Sequence, residues 1–393
     1  MFTISGAVAR PDILLDLSRL IWRASRGRLP TGIDRVCLAY AEHYAECAQA
    51  VVQWKAARRI LPPKTSAELF TLLLTETRNL RIELAKLAAR HFPYLIQPQS
   101  GNGRLYLNIG HSGLDQPALM EWVAKTDVRP IFMIHDLIPI THPEYCRPGS
   151  AKKHEKRVDT MLRSGAGIIG NSQATLDEIA NYALHRGLPL PPMLNAWLGA
   201  TPLSASDKKP PEAAKPFFVT LGTIEGRKNH LILLKLWRTL IAKHGPSTPS
   251  LVVIGQRGWE NDAACALLDS DEALRGHVIE LPRCTDTELA HYLRDARALL
   301  FPSFAEGYGM PLVEALGVGT PVIASNLAVF HELAGDIPEY LAPDDMMGWQ
   351  SIIEQYSRPS SAERSAQLSR MTGYAMPTWN QHFAKVDNWL SRL

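Results

Sequence analysis

The stretch between residues 298 and 324 carries the pattern with the clearest chemistry. An apolar run ends at Phe301, and two glutamates separated by seven residues, Glu306 and Glu314, follow it. A carboxylate accepts hydrogen bonds from sugar hydroxyls without transferring a proton. We therefore expect the two glutamates to hold different hydroxyl groups of a nucleotide that bears a sugar, with Glu306 at the mouth of the site.

The residues between the glutamates predict a phosphate contact. Gly307 and Gly309 flank Tyr308, and Met310 and Pro311 open the next helix, where proline is favoured. Backbone N–H groups approach an anion closely at glycines, and the helix dipole favours phosphate at that end. A helix start that binds no ligand is the alternative interpretation of the same residues.

A cationic pair, Arg227 and Lys228, follows an apolar run at 217–221. A departing diphosphate needs its charge neutralised by a metal ion or by cationic side chains, and this pair could supply the cations. A solvated charged turn is the alternative. The only Asp-x-Asp in the sequence, Asp269-Ser270-Asp271, lies in an acidic segment that reads as an exposed helix, so we expect no metal site and no cofactor.

His135 and Asp136 follow another apolar run, at 131–134. Ligands of open parallel sheets bind beyond the carboxyl ends of the strands, so both residues could face a site. A lone histidine at such a place is more often structural, and the glutamate pair elsewhere in the chain favours a site role for His135. Asp136 could orient the imidazole or cap the next turn, and both roles stay open.

Alternating strands and helices are predicted to position these residues. In the second half, apolar runs predict buried strands at 217–221, 251–254, 278–281, 298–301 and 322–324, with helices at 229–243 and 286–296. In the first half, strands are predicted at 13–17, 104–109, 131–134 and 167–169, with helices near 34–47 and 172–185. This alternation predicts an α/β protein with doubly wound parallel sheets.

The segment 202–216 is rich in proline, serine, alanine and lysine and has no apolar periodicity, so it is predicted to link two domains. Residues 55–90 interrupt the alternation, with eight Lys or Arg, three Glu and leucines at helical spacing. We interpret them as a basic amphipathic helical insertion. It either packs its leucines on the core or presents a surface to an anionic membrane or a partner.

Composition excludes several classes of protein. The 393 residues are 46% hydrophobic and carry a net charge of +3, which fits a globular chain of two or three domains and not a polycation that binds nucleic acid. The five cysteines form no CxxC pair, and the first residues lack the unbroken apolar stretch of a signal peptide. We expect a cytoplasmic protein with reduced thiols.

Four segments together resemble the retaining GT-B glycosyltransferases of family 4. The two glutamates and their surroundings resemble the donor-site signature of that family, and residues 219–237 resemble its first C-terminal strand and loop. Residues 130–146 resemble the segment whose His-Asp lies beside the transferred sugar, and PTGIDRV at 30–36 resembles the glycine loop.

The resemblance implies a GT-B fold, in which two Rossmann-like doubly wound domains face each other across a cleft. It implies an acceptor domain at 1–205, a nucleotide-sugar domain at 206–375 and a helix at 376–393 that crosses back to the first domain. The catalytic residues that it implies are His135, Asp136, Arg227, Lys228 and Glu306. The residues expected to bind the nucleotide sugar are Gly32, Arg227, Lys228, Glu306, Gly307, Tyr308, Gly309, Met310 and Glu314.

The activity implied by the resemblance is a retaining, metal-independent transfer of a hexose to a growing, lipid-linked bacterial glycan such as O-antigen, capsule or exopolysaccharide. GDP-mannose is the first expectation for the donor, and a UDP-sugar is the alternative. A lipid-linked acceptor would bring the protein to the inner face of the plasma membrane as a peripheral protein. A GT-B sugar-nucleotide epimerase and a catalytically silent GT-B partner subunit are the alternative functions.

Overall fold

The computed structural model describes residues 12–26, 32–54, 57–75, 79–91, 100–203 and 215–393. The chain forms two compact units. The first consists of Met1–Leu137, Lys152–Leu198 and Trp379–Leu393, and the second of Ile138–Ala151 and Gly199–Thr378. The short segment Ile138–Ala151, which follows His135 closely in sequence, thus belongs with the second unit.

The strands of the described residues are β1 Ile13–Asp16, β2 Ala48–Trp54, β3 Ala57–Ile60, β4 Leu105–Asn108, β5 Arg129–Ile134, β6 Gly167–Gly170, β7 Met193–Asn195, β8 Phe217–Leu221, β9 Ser250–Ile254, β10 Val278–Leu281, β11 Leu299–Phe301, β12 Val322–Ser325 and β13 Glu339–Leu341. The α-helices are α1 Ser18–Ala24, α2 Gly32–Tyr44, α3 Pro63–Leu74, α4 Leu80–Arg90, α5 Pro117–Thr126, α6 Ile138–Thr141, α7 Ser150–Ser164, α8 Gln173–Arg186, α9 His230–His244, α10 Asp262–Ser270, α11 Asp286–Asp295, α12 Met310–Gly317, α13 Ala328–Ala334, α14 Met346–Ser357, α15 Ala362–Arg370 and α16 Trp379–Leu390.

Each unit is built on one sheet with the order of a doubly wound fold. The first sheet has the order β3-β2-β1-β4-β5-β6-β7 and the second β10-β9-β8-β11-β12-β13. The second sheet is parallel throughout, and in the first only β3 runs antiparallel to its neighbour β2. The prediction of two Rossmann-like parallel sheets is therefore confirmed, and the order of both sheets reverses next to their first parallel strand.

Burial explains why the short apolar runs become strands. The four residues of β12 are all buried, as are those of β6, which is expected when helices cover both faces of a parallel sheet. In the second unit, Phe218 and Leu300 from the sheet share one core with Trp237 of α9 and Trp349 of α14. These side chains keep the strand ends, and hence the loops that follow them, in fixed positions.

The interpretation of residues 55–90 as wholly helical is wrong at its start. Residues 57–60 form β3, and Arg58 in this strand is only 1% exposed, with its Nη2 donating to the Gln53 side chain at 3.0 Å. The sequence does not indicate this antiparallel pairing, because two arginines interrupt the apolar pattern of a strand. The helical part is confirmed as α3 and α4, whereas Lys55, Glu76 and Arg78 lie outside the described residues.

The two helices of this segment differ in how they pack. Leu69 and Phe70 of α3 are buried, which agrees with a helix that packs on the core. In contrast, α4 has no buried residue, and its Ile82 is 54% exposed. Within the described ranges, no helix is both long enough and apolar enough to cross a membrane.

The last helix, α16, belongs to the first unit. Phe383 stacks on the His43 ring of α2 at 3.8 Å between centroids, and the Tyr44 hydroxyl donates to Asp387 at 2.6 Å. The buried His382 contacts the Tyr40 hydroxyl at 2.9 Å. The aromatic residues of α16 therefore pack and do not form a site of their own.

Candidate active site

The loops after β8 and β11 meet at the point where the second sheet reverses its order. Strands β9 and β10 lie on one side of β8, and β12 and β13 lie on the far side of β11. Connections on opposite faces leave a crevice at the carboxyl ends of the two central strands, which is where doubly wound folds bind ligands. Both halves of the predicted donor site follow these two strands.

An ion-pair cluster occupies this edge of the sheet. Arg227 and Lys228 end a short 3₁₀ turn, Gly226–Lys228, after β8, and Glu306 lies in the loop after β11. Arg227 Nη1 is 2.9 Å from Glu306 Oε2, and Lys228 Nζ is 2.5 Å from Glu306 Oε1. The structure thus brings together three of the five predicted catalytic residues, although Glu306 lies 78 residues from Lys228 in the sequence.

Glu306 is held from several sides. Besides the two cations, the Ser303 hydroxyl donates to Glu306 Oε1 at 2.8 Å. Burial alone would raise the pKa of Glu306, but the charges of Arg227 and Lys228 outweigh it and lower that pKa to about 2. The carboxylate is therefore ionised at neutral pH and can only accept hydrogen bonds.

The expectation that Glu306 stands at the mouth of the site is corrected by its burial. Its side chain is only 7% exposed, and that of Lys228 is 9% exposed. The cations of the neighbouring loop cover the carboxylate, which sequence spacing within one loop does not predict. Arg227, whose side chain is 22% exposed, is the most exposed of the three residues of the cluster.

Backbone bonds fix the two loops to each other. The Phe304 N–H donates to the Arg227 carbonyl at 2.8 Å, and Arg227 Nη1 donates to the Ala305 carbonyl at 3.0 Å. Asn229 Nδ2 donates to the Pro302 carbonyl at 3.2 Å. The cluster is therefore set by main-chain contacts on both sides and not by side-chain pairing alone.

The predicted helix start is confirmed as α12, which begins at Met310 with Pro311 in its first turn. Gly309 precedes it with φ 110°, a left-handed conformation that favours glycine. A side chain there would also meet the Phe330 ring, because its Cβ would lie 2.7 Å from Cε1. Gly307 and Tyr308 precede this glycine in the same loop, and Glu314 is buried within α12.

His135 and Asp136 lie in the first unit, directly after β5. His135 Nε2 donates to the Ile109 carbonyl at 2.9 Å, so in the neutral imidazole Nδ1 carries no proton and acts as an acceptor. Burial lowers the pKa of His135, which keeps the ring neutral. Gly32 is the first residue of α2, and PTGIDRV is described only from this glycine onward.

Two further histidines accompany His135. The His111 ring lies 5.1 Å from that of His135 and 6.0 Å from that of His154. Each donates from Nε2 to a backbone carbonyl, His111 to Met133 at 2.8 Å and His154 to Asp136 at 3.0 Å. His111 also has a positive φ of 61°, which is unusual for a residue with a side chain. His111, like His135, follows the carboxyl end of a strand, whereas His154 lies within α7 and has no such signal in the sequence.

The acidic pair Asp269 and Asp271 is engaged in ion pairs. Asp269 binds Arg257 with its two oxygens at 2.7 and 2.9 Å, and Asp271 lies 3.0 Å from Arg238. Across the described residues, no group of three or more His, Cys, Asp or Glu side chains is arranged to hold a metal ion.

A comparison with known protein families identifies the family of the region that contains the ion-pair cluster. A family model described as "Glycosyl transferases group 1" matches residues 204–342, which include Arg227, Lys228, Glu306 and Glu314. The chain carries a glycosyl transferases group 1 domain. This group 1 domain contains the whole ion-pair cluster and both glutamates of the motif.

Relatives of the chain agree with this domain assignment. The chain is 28% identical over 258 residues to the serotype-specific mannosyltransferase WbdA of Escherichia coli, a match that covers 58% of the chain and 31% of WbdA. It is 29% identical over 224 residues to the O-antigen chain mannosyltransferase B of Escherichia coli, covering 56% of the chain and 58% of that protein. The chain thus spans about a third of WbdA and somewhat over half of the second relative.

A solved structure extends the likeness to both units. Anabaena Alr3699/HepE, crystallised with UDP and glucose, aligns with 98% of the chain and 100% of its own length, with a TM-score of 0.64 and 16% identity. At this identity the likeness concerns the fold. The GT-B fold expected from the sequence is thereby confirmed, and the group 1 domain lies within its second unit.

Proposed function

We propose that this chain is a retaining, metal-independent glycosyltransferase that transfers mannose from GDP-mannose to a growing bacterial glycan. The observation that carries the proposal is the cluster of Arg227, Lys228 and Glu306 at the crevice of the group 1 domain. Two cations beside an ionised carboxylate provide the groups that a sugar diphosphate needs, namely charge for the phosphates and an acceptor for hydroxyls.

In this proposal Arg227 and Lys228 stabilise the departing diphosphate, Glu306 accepts hydrogen bonds from sugar hydroxyls and Glu314 from those of the ribose. The bond between the anomeric carbon and the phosphate oxygen breaks, and the acceptor oxygen bonds to that carbon on the same face. The acceptor proton passes to a phosphate oxygen of the leaving group. His135, with Asp136 beside it, supports the positive charge of the sugar through its unprotonated Nδ1.

The choice of donor and acceptor is supported by the relatives. Both relatives above are named as mannosyltransferases, and one is named for the O-antigen chain. A UDP-sugar is the second candidate donor, because Alr3699/HepE was crystallised with UDP. The acceptor that we propose is a lipid-linked O-antigen, capsule or exopolysaccharide chain, reached from the cytoplasm at the inner face of the plasma membrane.

A panel of GDP-mannose, UDP-glucose, ADP-glucose and dTDP-glucose in a thermal-shift assay tests the donor. We expect GDP-mannose to raise the melting temperature most, because ligand binding to the folded state stabilises it by mass action. Transfer from the best donor to mannosyl oligosaccharides, followed by NMR of the product, should show an anomeric centre with the donor's configuration. Activity should persist in excess EDTA.

Each alternative function or mechanism gives a different result in these measurements. An inverted anomer overturns retention, and a loss in EDTA that Mn²⁺ restores overturns metal independence. Conversion of the nucleotide sugar to its epimer without transfer to any acceptor indicates an epimerase. Binding of no nucleotide sugar at all indicates a silent subunit and overturns the proposal.

We further propose that α4 docks on an anionic membrane surface, where a lipid-linked acceptor would be presented. We expect binding to phosphatidylglycerol vesicles but not to phosphatidylcholine vesicles, weakening with added salt because the attraction is screened. Lys86 pairs with Glu83 at 2.8 Å and Arg90 with Glu68 at 3.2 Å, so the attraction is modest. Replacing Arg81, Lys86 and Arg90 with Gln should abolish the co-sedimentation of the protein with phosphatidylglycerol vesicles.

The matched control replaces three exposed cations of the second unit, Arg238, Lys243 and Arg275, with Gln. Each of these lies near a carboxylate, and the change in net charge equals that of the α4 variant. This control should still bind vesicles. Equal binding by both triple variants would show that α4 is an ordinary surface helix.

A further inference from the structure

A second buried carboxylate, Glu225, lies beside the ion-pair cluster and has no place in the donor-site motif. Its Oε1 is 2.7 Å from Arg227 Nε, and its side chain is only 3% exposed. Arg227 is therefore held at Nε by Glu225 and at Nη1 by Glu306. These contacts fix both the position and the plane of the guanidinium group.

The burial of Glu225 needs an explanation beyond a surface turn. Its Oε2 is buried and has no hydrogen-bond partner within the described residues. Burial raises the pKa of Glu225, while Arg227 and Lys228 oppose that rise. Burying an incompletely bonded carboxylate costs free energy, so a glutamate with no task here would be expected to face solvent.

Backbone hydrogen bonds next to Glu225 hold its position. The Ile224 N–H donates to the Gln256 carbonyl at 2.9 Å, and Asn261 Nδ2 donates to the Ile224 carbonyl at 2.7 Å. Both partners lie in the segment after β9. The Glu225 backbone is thus fixed to the segment that follows β9, and this does not depend on the loop that carries Glu306.

We propose that Glu225 is the positioning residue of Arg227, which holds the guanidinium in the orientation that meets both Glu306 and the phosphates of a nucleoside diphosphate. The inference rests on the proposed function, because it assigns a role within the same donor site. The N–H groups of a planar guanidinium point in fixed directions, so what it contributes to a phosphate depends on its orientation. Fixing that orientation before the ligand arrives removes an entropic cost from binding.

Isothermal titration with GDP and with guanosine tests this role. We expect Glu225→Ala to weaken GDP binding about tenfold, the scale of one lost charge-assisted hydrogen bond, and to leave guanosine binding unchanged. Glu225→Gln keeps an oxygen for Arg227 Nε and should restore most of the affinity. Loss of GDP and guanosine binding in equal measure would indicate a merely structural residue and overturn the inference.

A double-mutant cycle with Arg227→Ala separates positioning from any other effect. If Glu225 acts through Arg227, Glu225→Ala should cause no further loss of GDP affinity in a chain that already carries Arg227→Ala. A further tenfold loss in that background would overturn the inference. Glu280→Ala is the matched control, since Glu280 accepts from Arg257 Nε at 2.8 Å in an exposed pair of the same unit, and GDP binding should be unchanged.

Titration of the unmodified chain distinguishes a failure of the proposed role of Glu225 from a failure of the proposed donor site. If the unmodified chain binds GDP and Glu225→Ala binds it equally well, the role of Glu225 is overturned and the donor site stands. If the unmodified chain binds neither GDP nor UDP, the proposed function itself fails.

Discussion

Replacing Glu306 with glutamine is expected to lower the turnover of sugar transfer by about 10³-fold, the scale of losing one preorganised electrostatic group. Glutamine keeps the shape of the side chain and one oxygen, but it removes the charge that holds Arg227 at 2.9 Å and Lys228 at 2.5 Å. Its N–H₂ group takes the place of one carboxylate oxygen, so it faces one of the two cations, donor against donor. Both effects disturb the groups that hold the sugar and the diphosphate.

A matched control is available within the same unit. Glu354 accepts hydrogen bonds from Lys243 at 2.9 and 3.0 Å, and its pKa is also lowered to about 2, yet it lies in α14 away from the crevice. Glu354→Gln removes a comparable ion pair and should leave turnover unchanged. Initial rates with the donor that the thermal-shift panel selects give the comparison, and normal turnover in Glu306→Gln would refute the assignment of this carboxylate to the site.

The acid stability of the protein should change in the same variant. The pKa of Glu306 is lowered in the folded chain from its usual 4.5 to about 2, so its ionised form stabilises the fold at pH values above 4.5. This contribution is lost progressively as the pH falls from 4.5 to 2. Glu306→Gln has no such group, so its melting temperature should fall less steeply than that of the wild type over this interval.

The strands and the helix start were predictable from sequence because their signals are local. The runs at 217–221 and 278–281 coincide with β8 and β10, and Met310 begins α12 as expected. The residues of β8 are mostly buried, whereas Ile279 of β10 is 43% exposed, so 278–281 is a strand as predicted but not a buried one. By contrast, β3 forms by pairing with β2, and its two arginines break the apolar pattern that would indicate a strand.

The contacts within the site depend on the sheet order, which no single segment encodes. Spacing identified Glu306 and the cationic pair separately, but their ion pairs form because β8 and β11 are neighbours in the sheet. The same neighbourhood explains why Glu306 is buried and not exposed. The sequence gives no signal for Glu225, because a glutamate close before an Arg-Lys pair is typical of a solvated turn. Its burial and its contact with Arg227 Nε are visible only in the structure.

Replacing Arg227 with alanine is expected to lower turnover by about 10²–10³-fold and to weaken binding of the free nucleoside diphosphate. The side chain is 22% exposed at the crevice, so it can contact phosphates while it pairs with Glu306. Lys228 and Ser303 still hold Glu306 in this variant, and the fold should persist. Because GDP carries no transferred sugar, the loss of GDP affinity reports on the diphosphate contact and not on the sugar hydroxyls that Glu306 is proposed to hold.

The control for Arg227 is Arg257, which pairs with Asp269 and Glu280 on the surface of the same unit. Arg257→Ala removes an arginine held by two carboxylates, as Arg227 is, but away from Glu306, and should bind GDP like the wild type. Titration of GDP into both variants gives the affinities, and single-turnover rates at saturating donor give the chemical step. If Arg227→Ala binds GDP as tightly as Arg257→Ala does, its guanidinium does not contact the diphosphate, and Lys228 alone supplies the cation of this cluster at the leaving group.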